Sequence, residues 1–245
     1  MSRPLEEERL ARVKHLFGQR LVKGRLVRRY KRFLAQVRLD DGREVTALCP
    51  NTGSMLGCME PDAPVYLSRA ENPKRKTAFT WEMVKMNGGW VGINTMVPNK
   101  LAAMAARERA LPMFEDALAV RPEVRVGEKS RLDLLVERER GPLYVEVKNV
   151  TLVEGDLALF PDAVTSRGAR HLAELVKLKQ AGLGAAMLYL VQRGDGRAFA
   201  PADRIDPEYG RAWRAARQAG VEMTVVRAKV TPTSITLERE LPLAI

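Results

Sequence analysis

The stretch RLDLLVERERGPLYVEVK, residues 131–148, decides how this chain reads. It holds two apolar runs separated by Gly141-Pro142, a turn signal. Asp133 interrupts the first run; Glu146, thirteen residues later, interrupts the second, and Lys148 follows by two. Residues two apart on a strand point to the same side, so Glu146 and Lys148 share a face. Charge placed in an interior strand is costly unless it is paired or bound to a metal. An Asp and a Glu on adjacent strands are hard oxygen ligands suited to Mg²⁺ or Mn²⁺, with the Val147 carbonyl as a further backbone ligand. A lysine beside them is placed to orient an attacking water or to stabilise a phosphoryl transition state. Asp133, Glu146 and Lys148 are therefore the candidate catalytic set, and Asp133, Glu146 and Val147 the candidate metal ligands. The spacing by itself also admits a purely structural Glu146–Lys148 ion pair.

Working outward, the chain after residue 81 alternates strand and helix. A strand is expected over 120–126, an Ala-rich helix after Pro98, a helix over 164–181, and a strand over 185–192. A helix over 207–219 and a strand over 221–230 complete the pattern. That alternation implies an α/β layer with a partly parallel sheet. Glu123, just ahead of the decisive stretch, is a possible accessory acid, and Gln192 a possible accessory residue at the end of its strand. Arg167, His171 and Glu174 form a polar stripe on the expected helix, from which Arg167 and His171 would touch phosphate.

Before residue 80 the pattern is different. Short apolar groups recur at close intervals, and Asp41-Gly42 is a hairpin signal, which suggests a small barrel of the OB type. The expected division is a basic barrel over 1–80 and an α/β domain over 81–245. Net charge is +11, and residues 1–80 hold 17 Lys and Arg against 9 Asp and Glu. The run from Arg20 to Arg32 contains no acid, and Arg25, Arg28, Arg29, Lys31 and Arg32 are its candidate phosphate contacts. Lys74, Arg75 and Lys76 form a second basic group. Such clusters favour a polyphosphate, with counterion release making the binding salt-dependent. No stretch approaches the roughly 18 apolar residues of a membrane helix, and the charged N-terminus lacks the apolar run of a secretory signal. A cytoplasmic location and no membrane partner are expected. Cys49 and Cys58 lack metal-type spacing and read as ordinary thiols. At 6% aromatic content no sugar-stacking platform is evident.

Several segments together resemble the sugar fermentation stimulation protein A family: RYKRFLA (29–35), CPNTGSMLG (49–57), NPKRKTAFTWE (72–82), WVGINT (90–95), SRLDLLVE (130–137), YVEVKNVTL (144–152), FPDAVTSRGARHLAEL (160–175) and LVQR (190–193). One position departs: the family often reads AHCPNTG, whereas this chain has Ala47-Leu48-Cys49. The resemblance implies an OB-fold-like barrel followed by a PD-(D/E)xK nuclease-like α/β domain, with Asp133, Glu146 and Lys148 on the nuclease motif. It implies a DNA-binding protein, with duplex or single-stranded preference undecided, linked to regulation of sugar (maltose) metabolism. The alternative is an active Mg²⁺-dependent deoxyribonuclease. Oligomeric state is not legible.

Overall fold

The computed structural model describes residues 3–127 and 130–244. The chain opens with helix α1 (Arg3–Arg12) and a short strand β1 (Lys14–Leu16). Strands β2 (Val22–Tyr30), β3 (Leu34–Leu39), β4 (Glu44–Leu48), β5 (Pro64–Arg69), β6 (Phe79–Met86) and β7 (Gly89–Gly92) follow. Next come helix α2 (Met96–Arg107) and strands β8 (Ala117–Val126), β9 (Ser130–Arg138), β10 (Leu143–Val150), β11 (Leu152–Glu154) and β12 (Leu157–Phe160). Helix α3 (Ser166–Gln180), strands β13 (Gly184–Val191) and β14 (Ala198–Pro201), helix α4 (Pro207–Gln218), and strands β15 (Glu222–Val230) and β16 (Ser234–Glu240) complete the chain.

The first sheet runs β4-β3-β2-β5-β6-β7, and a further pairing of β4 with β6 closes its first five strands into a barrel. The turns are those their residues favour. Gly42 takes a positive φ between β3 and β4, and Asn87-Gly88 takes two in succession between β6 and β7, the backbone of a tight hairpin. Strand β6, FTWEMVKM, is buried almost throughout. Its Trp81 and Val84 pack into the barrel core while Met83 packs into the core of the second domain. A strand covered on both faces has no solvent side on which to alternate. It is therefore the plate on which the barrel is mounted.

The second sheet is mixed, ordered β1-β16-β15-β13-β10-β9-β8, with β10, β13 and β15 parallel. Strand β13 shows how it is covered. Ala186, Leu188 and Leu190 pack with α2, while Ala185, Met187, Tyr189 and Val191 pack with α3 and α4. The domain is thus helix–sheet–helix, and β10, which carries Glu146 and Lys148, lies near its middle.

The boundary expected at residue 80 is corrected at both ends. The barrel sheet continues to Gly92, and residues before Val22 belong to the other body: Lys14 pairs with Thr236, and Leu10 and Val13 are fully buried in the α/β core. At the junction the Gly92 N–H donates to the Gln192 carbonyl at 2.8 Å. A Cβ at residue 92 would lie 2.7 Å from the Gln192 side-chain amide, so a larger residue here would require that side chain to shift.

Candidate metal and nucleic-acid site

Strands β9 and β10 pair through Leu143–Val136, Tyr144–Leu135 and Val145–Leu134, and there the ladder stops. Leu134 packs on the α2 side of the sheet, but Leu132 packs with the α3 side. Strand β9 therefore rolls as it parts from β10. Asp133 fills the gap: its Oδ2 accepts the Val147 N–H at 2.8 Å, in place of the missing strand partner. The N–H and C=O of one extended residue point the same way, so the Val147 carbonyl faces the same opening. Asp133 Oδ1 accepts from Asn99 Nδ2 of α2 at 2.7 Å.

Glu146 is 2% exposed, with Lys148 Nζ 2.5 Å from its Oε1. His171 Nδ1 is bonded to the same oxygen. Among the described residues, Glu146 Oε2 has no hydrogen-bond partner. Burial and the neighbouring Glu146 charge push the Asp133 carboxyl up to about 6. Burial pushes Glu146 upward too, but His171 and Lys148 outweigh it and hold its carboxyl below the ordinary value. The pair is polarised: His171 and Lys148 hold Glu146 ionised, while Asp133 beside it takes up a proton more readily.

These residues form the floor of a cleft of about 700 Å³ between the two domains. One wall is the barrel loop Asn51–Ser54 with Arg29 and Arg32; the other is the segment from Leu159 to Thr165 with Arg167. Ser54 Oγ donates to the Asp162 carbonyl, and the Met55 N–H donates to Asp162 Oδ2 at 2.7 Å, joining the walls at one end. Thr95 and Asn99 of α2 also line the cleft.

The structure thus brings Asp133, Glu146, Val147 and Lys148 together with Arg29, Arg32 and Arg167. Other expected positions are corrected. His171 is 3% exposed and sits behind Glu146. It shares the buried face of α3 with Gly168, Leu172 and Leu175, so it fixes a carboxylate where contact with phosphate had been expected. Glu123 pairs with Arg131 at 2.8 Å on an exposed edge and does not line the cleft. Gln192 is buried and donates to Asn149 at 2.8 Å, supporting the cleft wall from behind. The basic run does not make one continuous stripe, because β2 is bulged between Leu26 and Arg28. Arg25 bonds to Asp62 and Arg28 to Gln36, while Arg29 turns inward to the carbonyls of Asn51 and Gly53. Arg32 reaches the Thr52 carbonyl, and Lys31 and Arg32 both take positive φ at the turn. Arg75 folds back on Thr77, Phe79 and Thr80, and Lys74 and Lys76 are exposed outside the cleft. Asn99 went unnoticed in the sequence; an uncharged polar residue in an Ala-rich helix gave little hint.

An OB barrel mounted on an α/β domain, with a carboxylate cleft at the junction, defines the class of this protein. Comparison makes it specific. Residues 27–93 match the SfsA N-terminal OB domain and residues 96–234 match the sugar fermentation stimulation protein RE domain. A sugar fermentation stimulation protein homolog of Geobacter sulfurreducens is 54% identical over 222 residues, spanning 91% of this chain and 95% of the relative. One from Gloeobacter violaceus is 50% identical, spanning 88% of this chain and 92% of the relative. The solved structure of Pyrococcus furiosus SfsA in complex with Ca²⁺ superposes with a TM-score of 0.87 at 29% identity, covering 94% of this chain and 98% of that one. The chain belongs to the sugar fermentation stimulation protein (SfsA) family.

Proposed function

We propose that this protein binds DNA and carries, at Asp133 and Glu146, a divalent-metal site that hydrolyses phosphodiester bonds. The observation that carries the reading is Glu146: an ionised carboxylate 2% exposed, with one oxygen held by His171 and Lys148 and the other without a partner, beside a second acid. Among the described residues no three His, Cys, Asp or Glu converge into a closed cage. Two carboxylates and a carbonyl instead suit a hard ion that keeps several waters, such as Mg²⁺ or Mn²⁺. The Ca²⁺ complex of the Pyrococcus furiosus relative supports a divalent ion. Asp133, Glu146 and the Val147 carbonyl would hold it. When bound, such an ion polarises a phosphoryl oxygen and acidifies a water. The chain's own residues do the rest. Asn99 and the Val147 N–H orient Asp133, and His171 orients Glu146. Lys148 places positive charge beside the reacting phosphate, and Arg32 and Arg167 neutralise the flanking backbone.

A second reading has its own observation: the Lys148–Glu146 contact of 2.5 Å is also a self-sufficient ion pair. The protein would then bind DNA without cutting it, in keeping with a link to the regulation of sugar (maltose) metabolism. Incubating the full chain with DNA and Mg²⁺ or Mn²⁺ separates the two. Cleavage that Asp133→Ala abolishes supports the nuclease. Intact DNA under every metal leaves only binding, and cleavage that survives the substitution places the activity elsewhere.

A further inference from the structure

Among the described residues seven large apolar side chains are exposed; one of them lines the cleft and four more neighbour its lining residues in sequence or by contact. Val164, 77% exposed, lines the cleft itself. Phe33, 51% exposed, follows the lining residue Arg32, and Met96 follows the lining residue Thr95. The Leu56 N–H is 3.2 Å from the hydroxyl of the lining Ser54, and the Met59 sulfur is 3.7 Å from Arg29. Among these seven, Leu16 and Leu118 lie on β1 and β8, strands that contribute no residue to the cleft lining. Scattered exposed apolar residues need no explanation, but a rim of them around a polar cleft marks a binding site.

The occupant must match three features. The floor is acidic and metal-type, and the walls carry guanidinium groups, which calls for phosphate. The rim is apolar and includes an aromatic ring, which calls for flat unpaired faces. The cleft, at about 700 Å³, is in the size range of a single small ligand, about 300–1,000 Å³, and its walls are tied at one end through Asp162. A duplex hides its base faces in the stack and leaves an aromatic ring at the rim without a flat partner. We infer that the cleft takes single-stranded DNA, either a free strand or an unpaired end of a duplex, with Phe33 stacking on an exposed base. The inference rests on the DNA reading above and specifies its substrate. The turn that presents Phe33 fits this role. Lys31 and Arg32 both hold left-handed φ values, 49° and 62°, a conformation that non-glycine residues avoid unless the structure imposes it.

The test is fluorescence anisotropy of the full chain in chelator, with labelled oligonucleotides of one sequence as single strand, blunt duplex, and duplex with an unpaired end. The single strand and the overhang are expected to bind at least tenfold more tightly than the blunt duplex. Phe33→Ala is expected to weaken their binding roughly tenfold, with Phe33→Trp restoring it and Leu118→Ala leaving it unchanged. Phe33 is exposed, so its variants fold. A base analogue whose emission is quenched by stacking is expected to lose that quenching in Phe33→Ala alone. Blunt duplex bound as well as single strand, or Phe33→Ala weakening both forms equally, overturns this inference and leaves the DNA-binding reading standing. No binding of any form overturns both.

Discussion

Two charged regions of this molecule differ in how charge is used. On barrel strand β2 the cations are numerous and mostly exposed, and their neighbours answer them one by one: Lys23 with Asp40, Arg25 with Asp62. On the cleft floor there are few charges, but they are buried and each has been given a fixed position by another element: Asp133 by α2, Glu146 by α3. Exposed ion pairs contribute about 0–1 kcal/mol each. A buried charge missing a partner costs several times more. The comparison teaches that the number of basic residues marks a region, whereas the cost of placing a charge marks a site.

The most disruptive way to break the comparison is at His171. Replacing it with Ala takes a partner from a buried carboxylate, with an expected loss of about 1–3 kcal/mol, read as a drop of several degrees in Tm. Cation affinity, measured by calorimetry, is expected to fall roughly 10–100-fold as well. An unchanged affinity would reduce His171 to a packing residue.

A middle-sized effect lies in the pH dependence. With Asp133 raised to about 6, its protonated form is favoured in the folded state. The metal-free protein therefore loses stability as pH rises through about 6. A cation competes with that proton, so divalent affinity is expected to rise over the same interval and level off above it. Ca²⁺ should accordingly raise Tm at pH 7 far more than at pH 5, and Asp133→Asn should flatten the difference. An equal Tm increase at both pH values would detach Asp133 from the ion.

The smallest effect sharpens the other side. Arg25→Ala is expected to change stability by less than about 0.5 kcal/mol and to leave the salt dependence of DNA binding nearly intact. Arg32→Ala, in the cleft wall, should lower the slope of log affinity against log salt by about 1. Reversal of the two would return the contact surface to the strand.

The sequence showed Asp133, Glu146 and Lys148 plainly, because an acid amid β-branched and aliphatic residues needs a reason. The barrel and the alternation after residue 81 were legible through turn residues and periodicity. What was hidden depended on pairings between distant segments. The inward turn of Arg29 follows a bulge of one extra residue in its register, which composition does not reveal. The role of His171 follows from which face of α3 meets the sheet. Gly168, Leu172 and Leu175 at helical spacing around it carried that signal. The place of α1 and β1 depends on a partner more than two hundred residues away.

That last pairing has a consequence for how the molecule is made. Among the described residues strand β1 pairs only with β16, and the Leu237 N–H donates to the Val13 carbonyl at 3.0 Å. The barrel is therefore looped out of the α/β body between its first and later strands, and a cut near residue 93 would take part of that body with it. During synthesis β1 emerges more than two hundred residues before the partner it pairs with. The barrel can close early, while the sheet beneath the carboxylates stays one edge short until β16 has been made.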